Sequence, residues 1–217
     1  PIKSSAASDV YKRQLREKTN VGMMDCKKAL NECNGDMDAA VKYLREKGIA
    51  KAAAKADRDA KEGVIRAAVA PCGCSGIILE LNCETDFCAK GDKFQGLVND
   101  VANALMDSKA STLEEALQVP MAEGSTEEYI KAMCSSIGEN MALRKFARLT
   151  ADGIGAVVSY IHMGGKIGVL VNLAVEGGID ATTIGKDVAM QIAALNPRFW
   201  DKSLVTEDVL EEEKKIL

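Results

Sequence analysis

Residues 63–107 read GVIRAAVAPCGCSGIILELNCETDFCAKGDKFQGLVNDVANALMD. Val64–Val69 and Gly76–Glu84 have strand character, and Pro71–Ser75 between them is turn chemistry. In the second run Ile77, Leu79, Leu81 and Cys83 fall on one face, and Ile78, Glu80, Asn82 and Glu84 on the other. The period then changes: Phe94, Leu97, Val98, Val101, Ala102 and Leu105 recur at helical spacing. A hairpin followed by a helix with one apolar stripe buries the hairpin's apolar face. That predicts an α+β fold of antiparallel sheet under helix.

The plan recurs downstream. A helical segment over Glu127–Gly138 and a short strand over Met141–Leu149 lead to two further strands, Ala156–Ile161 and Ile167–Glu176. Gly164-Gly165 sits at their tip, where a tight hairpin requires positive φ. Ile184, Val188, Ile192 and Leu195 then predict a helix with its buried stripe on those residues, stopped by Pro197. Upstream, Leu15–Lys18 reads as the end of one helix and Gly22–Cys33 as a second, with Cys26, Ala29, Leu30 and Cys33 as its stripe. Asn34-Gly35 stops it, Asp36 caps a third helix on Met37, Ala40, Val41 and Leu44, and Gly48 ends that one. Ala50–Lys61 has no apolar stripe and reads as a linker. The expected division is therefore a tail over 1–14, a three-helix module over 15–50, a linker over 51–62, and two sheet-plus-helix subdomains over 63–150 and 151–217. The last closes on a charged helix from Val205 that is cut off at Leu217.

Composition narrows the function. Apolar residues make up 47% of 217 and charged residues 28%, enough for a packed core and for solubility. The net charge of −4 argues against a protein whose task is to hold a phosphate backbone. No run of about 18 apolar residues exists to span a membrane, and no basic-then-apolar leader opens the chain. Seven cysteines cannot all pair within one chain, and reduced thiols are expected. With His162 the single histidine, a two-His metal site is excluded. Cys72, Cys74, Cys83 and Cys88 invite a zinc reading, but Cys72-Gly73-Cys74 departs from the usual C-x₂₋₄-C pairs and no histidine is near. No metal is expected. No phosphate-loop glycine motif occurs, and no cofactor is expected.

Three positions stand out. Projected at 100° per residue, Met24 falls opposite the apolar stripe of its helix and Met23 at the stripe's edge. Met24 either folds back on the preceding loop or offers an adaptable anchor to a partner. Thr85–Lys90 lies between strand and helix: either Asp86 caps a local turn and Phe87 tucks into the core, or Phe87 is an outward wedge with a carboxylate beside it. His162 stands at a hairpin tip, where histidines are commonly just solvated, and no nucleophile lies near it in sequence.

Longer stretches carry a resemblance. LREKTNVGMMDCKKALNECNGDMDAAVKYLREKG (Leu15–Gly48), GIILELNCETDFCAKGDKFQ (Gly76–Gln95), SIGENMALRKFARL (Ser136–Leu149) and SYIHMGGKIGVLV (Ser159–Val171) resemble, in order and spacing, the elongation factor Ts family of bacteria and organelles. The resemblance runs from Leu15 to Leu217. It implies that the three-helix module is similar to ubiquitin-associated domains, that the core is two related α+β subdomains, and that a coiled-coil excursion and C-terminal module would follow where this chain stops. It further implies a cytoplasmic or organelle-matrix protein that is not an enzyme and that binds the GTPase elongation factor Tu, in its GDP-bound and nucleotide-free forms, to release GDP. A homodimer formed through that complex is compatible with this, whereas nucleic acid and membrane are not expected partners. Residue by residue, Asp86 and Phe87 match the family's T-D-F-V-A motif, whose aromatic wedges near the GTPase's magnesium site; Cys88 stands where Val is usual. His162 matches the tip histidine that bears on the GTPase near its phosphate loop. Met23, Met24 and Arg16 match contact residues of the N-terminal module. Two other classes compete: a non-catalytic adaptor whose three-helix module, residues 15–50, alone binds a ubiquitin-like or other protein partner, and a thiol- or His162-dependent enzyme.

Overall fold

The computed structural model describes residues 5–19, 21–53, 58–122, 124–177 and 179–216. Three helices come first: α1 (Ser5–Thr19), α2 (Met23–Glu32) and α3 (Met37–Ala53). They bury Leu15, Cys26, Ala29, Leu30, Ala40 and Leu44 in a core of their own. The α2–α3 turn closes as expected, with the Gly35 amide donating to the Leu30 carbonyl at 2.7 Å and Asp36 accepting from the Ala39 amide at 2.9 Å. Two expectations fail here. The first helix begins at Ser5, inside the stretch expected to be a tail, and the third runs through Gly48 instead of stopping there. Tertiary packing overrides the weak stop signal. Gly48 lies buried against Ser135 of helix α7 (Thr126–Ile137), and Arg45 pairs with Glu128 of the same helix at 2.6 Å. A glycine costs an exposed helix about 1 kcal/mol, a penalty that packing readily offsets. Of the expected linker, 51–53 continue the helix and 54–57 lie outside the described residues.

The core sheet is antiparallel in the order β1 (Glu62–Val69), β2 (Ser75–Cys83), β5 (Ala142–Thr150). Its register runs from Glu62↔Cys83 to Val69↔Gly76, and a bulge lies at Glu80/Leu81 against β5. Alternation works as read: Ile77, Leu79, Leu81 and Cys83 are all buried, under the stripe of helix α5 (Asp92–Asp107) formed by Phe94, Leu97, Val98, Val101 and Leu105. Smaller elements complete this unit: helices α4 (Asp86–Lys90) and α6 (Leu113–Gln118), and the two-residue strands β3 (Pro120–Met121) and β4 (Gly124–Ser125).

The second unit is the hairpin β6 (Gly155–His162) and β7 (Ile167–Ala174), covered by helix α8 (Thr182–Leu195). A 3₁₀ turn at Lys202–Leu204 and helix α9 (Glu207–Ile216) follow. The hairpin crosses onto the first sheet at its tip. Gly165, at φ +99°, accepts from the Ile65 amide at 2.7 Å. Its Cβ position lies 2.9 Å from the Ile65 carbonyl, so only glycine fits that contact.

Helix α8 corrects the expected stripe. Ile184, Val188 and Leu195 face solvent, whereas Gly185 and Ala189 are buried and Ile192 is partly so. Small residues let the helix sit close on β6, and a Cβ at Gly185 would lie 2.5 Å from Val158 Cγ2. The closest approach, not the largest side chains, selects the face. Among the described residues no helix is long and apolar enough to cross a membrane. Cysteine use also differs from expectation. Cys72 and Cys74 are joined by a disulfide across the β1–β2 turn, where the chain reversal brings their Cα atoms to 5.2 Å, within bridging range; the other five thiols are free.

A Gly185→Val protein should lose about 1–3 kcal/mol of stability through overpacking on Val158. Ile184→Lys, on the solvent side of the same helix, should change it by about 0.5 kcal/mol or less. Urea unfolding followed by circular dichroism measures both, and equal losses would refute the assignment of the buried face.

Candidate functional site

Strand β2 ends at Cys83, and the chain turns at Glu84-Thr85 into the single helical turn of α4. Thr85, not Asp86, is the cap: its Oγ1 accepts from the Cys88 amide at 3.1 Å. Asp86 opens the turn and pairs with Lys90 one turn later at 2.8 Å. The Lys90 ammonium holds the Asp86 carboxyl below its ordinary range, and Lys166 on the β6–β7 tip adds to this. Helical geometry then sorts the side chains. Cys88 and Ala89 point into the core and are buried, while Phe87 points out and is 85% exposed. Of the two readings of Phe87, the tucked one is excluded.

An exposed benzyl group holds its place only if its backbone is fixed, and the fixing residue is Glu139. One of its oxygens accepts from the Glu84 and Thr85 amides, each at 3.0 Å, and the other from the Thr85 hydroxyl at 2.7 Å. Glu84 answers across the same gap, accepting from the Asn140 amide at 2.6 Å. Two chain segments more than 50 residues apart are thus strapped together. Burial pushes the Glu139 carboxyl up, but the Thr85 hydroxyl and amide, the Cys88 thiol and the Glu84 amide outweigh it and leave the group below its ordinary value. Glu139 lies in a stretch read from sequence, yet nothing local marked its role; the contact is long-range. On the inward side, burial raises the Cys83 thiol to about 11 and raises Cys88 further, which favours the protonated thiols at neutral pH.

His162 ends β6 and is exposed, as expected for the tip. Its Nδ1 lies 2.9 Å from the Tyr160 hydroxyl, and the two rings stack with centroids 5.8 Å apart. The tip approaches the Phe87 corner. Lys166 pairs with Glu62 at 2.5 Å, and Glu62 is in register with Cys83. Asp86, Phe87 and His162 therefore belong to one end of the core. Met24 is 74% exposed, Met23 is half-buried and Arg16 is exposed. These three sit on α1 and α2, which reach the core by way of α3 and its seat on α7.

The chain is thus an α+β protein that holds one large apolar side chain, Phe87, exposed on a corner braced by Glu139. The family comparison is specific. A sequence model of the family described as Elongation factor TS matches residues 84–217. The chain is 45% identical over 214 residues to Elongation factor Ts of a Nitratiruptor species, covering 97% of this chain and 70% of that protein. The chain belongs to the elongation factor Ts family, which places it among the elongation factors of protein biosynthesis.

Glu139→Gln should cost about 1–3 kcal/mol at pH 7, since it removes charge-assisted hydrogen bonds from a strap that remains otherwise intact. The sign with pH follows from the depressed carboxyl. Its contribution is present above the ordinary value of 4.5 and is lost as pH falls through the lower folded value. The stability gap between wild type and Glu139→Gln, measured by urea unfolding, should therefore narrow steadily below pH 4.5. A gap that stays constant to about pH 3 would show that the charge is not what holds the corner.

Proposed function

We propose that this chain binds the GTPase elongation factor Tu and accelerates release of its GDP, with Phe87 as the intruding group. The observation that carries the reading is the exposure of Phe87 on a corner whose backbone Glu139 fixes. Membership of the family supports the partner. A GTPase holds GDP through a phosphate-cradling loop, magnesium and base contacts. A factor that gains contacts only when that site is distorted binds the nucleotide-free state more tightly, and by linkage GDP then binds the complex more weakly. Phe87 supplies apolar area that is buried only in the distorted state.

The other residues have separate tasks in this scheme. Asp86, tied to Lys90, keeps a fixed negative charge beside the ring. His162, engaged at Nδ1 by Tyr160, meets an incoming group with Nε2 and bears on the partner near its phosphate loop. Met24, with Met23 and Arg16, anchors the N-terminal module to the GTPase, and the outward stance of Met24 supports this. Anchors of this kind bind the GDP form and the transition state alike, so they set affinity without setting the maximal rate.

The test is release of fluorescent GDP from elongation factor Tu with and without this chain. Burial of a phenylalanine is worth about 1.5–3 kcal/mol, so Phe87→Ala should slow stimulated release about 10- to 150-fold with the fold unchanged. An unaltered rate would remove the wedge; if residues 15–50 alone then bound the partner, the adaptor reading would replace this one. Met24→Ala should raise the concentration of this chain needed for half-maximal stimulation several-fold and leave the saturated rate within about twofold. A fall in the saturated rate alone would contradict its role as an anchor.

A further inference from the structure

Behind the Phe87 turn, three potential ligands converge from separate elements. Cys83 ends β2, Cys88 lies in α4, and Glu139 lies in the loop before β5. Their sulfur and carboxylate oxygen atoms all lie within 4.8 Å of one another. We propose that Cys83, Cys88 and Glu139 form a binding site for one thiophilic divalent cation of the Zn²⁺ class. The Cys83–Cys88 spacing is C-x₄-C, inside the range of common zinc pairs. The sequence alone, with Cys72, Cys74, Cys83 and Cys88 all in view, gives no expectation of a metal, because Glu139 joins Cys83 and Cys88 only in the fold.

With Zn–S near 2.3 Å and Zn–O near 2.0 Å, a tetrahedron places its donors about 3.5–3.8 Å apart, so the triad needs a contraction of about 1 Å. Two sulfurs of three donors select a soft cation and disfavour Mg²⁺ and Ca²⁺, which take oxygen ligands. One of the three donors is already oriented. The Glu84 and Thr85 amides hold the Glu139 carboxylate in one orientation, the second layer that metal ligands ordinarily require. Cys83 donates its thiol proton to the Thr85 carbonyl at 3.2 Å, a contact it surrenders on binding. Both sulfurs are nearly closed off, while Glu139 retains partial exposure and leaves a fourth position for water. The step balances simply. Two S–H bonds and the metal–water bonds that the protein donors replace break, two metal–sulfur bonds and one metal–oxygen bond form, two protons and the displaced waters go to solvent, and nothing is oxidised or reduced.

The proposal rests on these three side chains and does not depend on the exchange reading; its test contains no GTPase. The full chain, carrying Cys72→Ser and Cys74→Ser so that the exposed pair contributes nothing, is titrated with Co²⁺ under a thiol-free reductant. The expected result is one Co²⁺ per chain, with sulfur-to-cobalt charge-transfer absorption and tetrahedral d–d bands, displaced by Zn²⁺ but not by Mg²⁺. Cys88→Val, a substitution of similar size, should abolish the bands while circular dichroism is unchanged. Glu139→Gln should weaken binding at least about tenfold. Absence of the charge-transfer band in the parent protein, or its persistence in Cys88→Val, overturns the site.

Discussion

The Glu139 carboxylate, receiving two backbone amides and a hydroxyl from Glu84-Thr85, is the interaction on which the candidate site depends. Strand β2 is held by its ladders to β1 and β5, and α5 is held by its buried stripe. The residues joining them have neither. Their amides lie where no strand partner continues. Glu139 satisfies two of them at once, so the direction of the chain into α4 is fixed by a charge-assisted bond and not by packing alone.

That direction decides where the aromatic ring goes. A phenylalanine left in water forgoes about 1.5–3 kcal/mol of burial, so an unconstrained turn would fold it inward. Here the inward places are already filled. Cys88 and Ala89 occupy the face toward the core, and in a single helical turn Phe87 cannot share it. Thr85 caps the turn and Asp86–Lys90 closes its outer side, so rotating the ring inward would break the cap and the strap together. The exposure of Phe87 is thus a consequence of five neighbouring residues, Thr85, Asp86, Cys88, Ala89 and Lys90, and of one distant carboxylate.

Much of this was legible in the chain because the signals are local. Alternation in Gly76–Glu84 and the stripe from Phe94 to Leu105 specify strand and helix directly, and both bury the residues they should. The outward projection of Met24 and the tip position of His162 follow from helical and hairpin geometry in the same way. What escaped was set by contacts distant in sequence. The helix continues through Gly48 because α7 lies beneath it. Helix α8 buries Gly185 and Ala189 because β6 can approach them closely, while its large apolar residues Ile184, Val188 and Leu195 lie on the solvent side. Glu139 looked like one more loop carboxylate, since its partners lie more than 50 residues away.

The N-terminal helices add a further constraint. With Arg45 on Glu128 and Gly48 against Ser135, α3 is seated on the core and does not hang from it by a free linker. On the proposed reading this matters for energy as well as shape. A partner that meets Met24 and Phe87 on one seated body loses its translational and rotational freedom once, and little further ordering is needed within this chain for the second contact. A module on a loose tether would have to be ordered again on binding, and much of the anchor's contribution would be consumed by that ordering. On a seated module the anchor's energy shows in full as affinity, and distortion at the aromatic corner is left to the contacts made only in the distorted state.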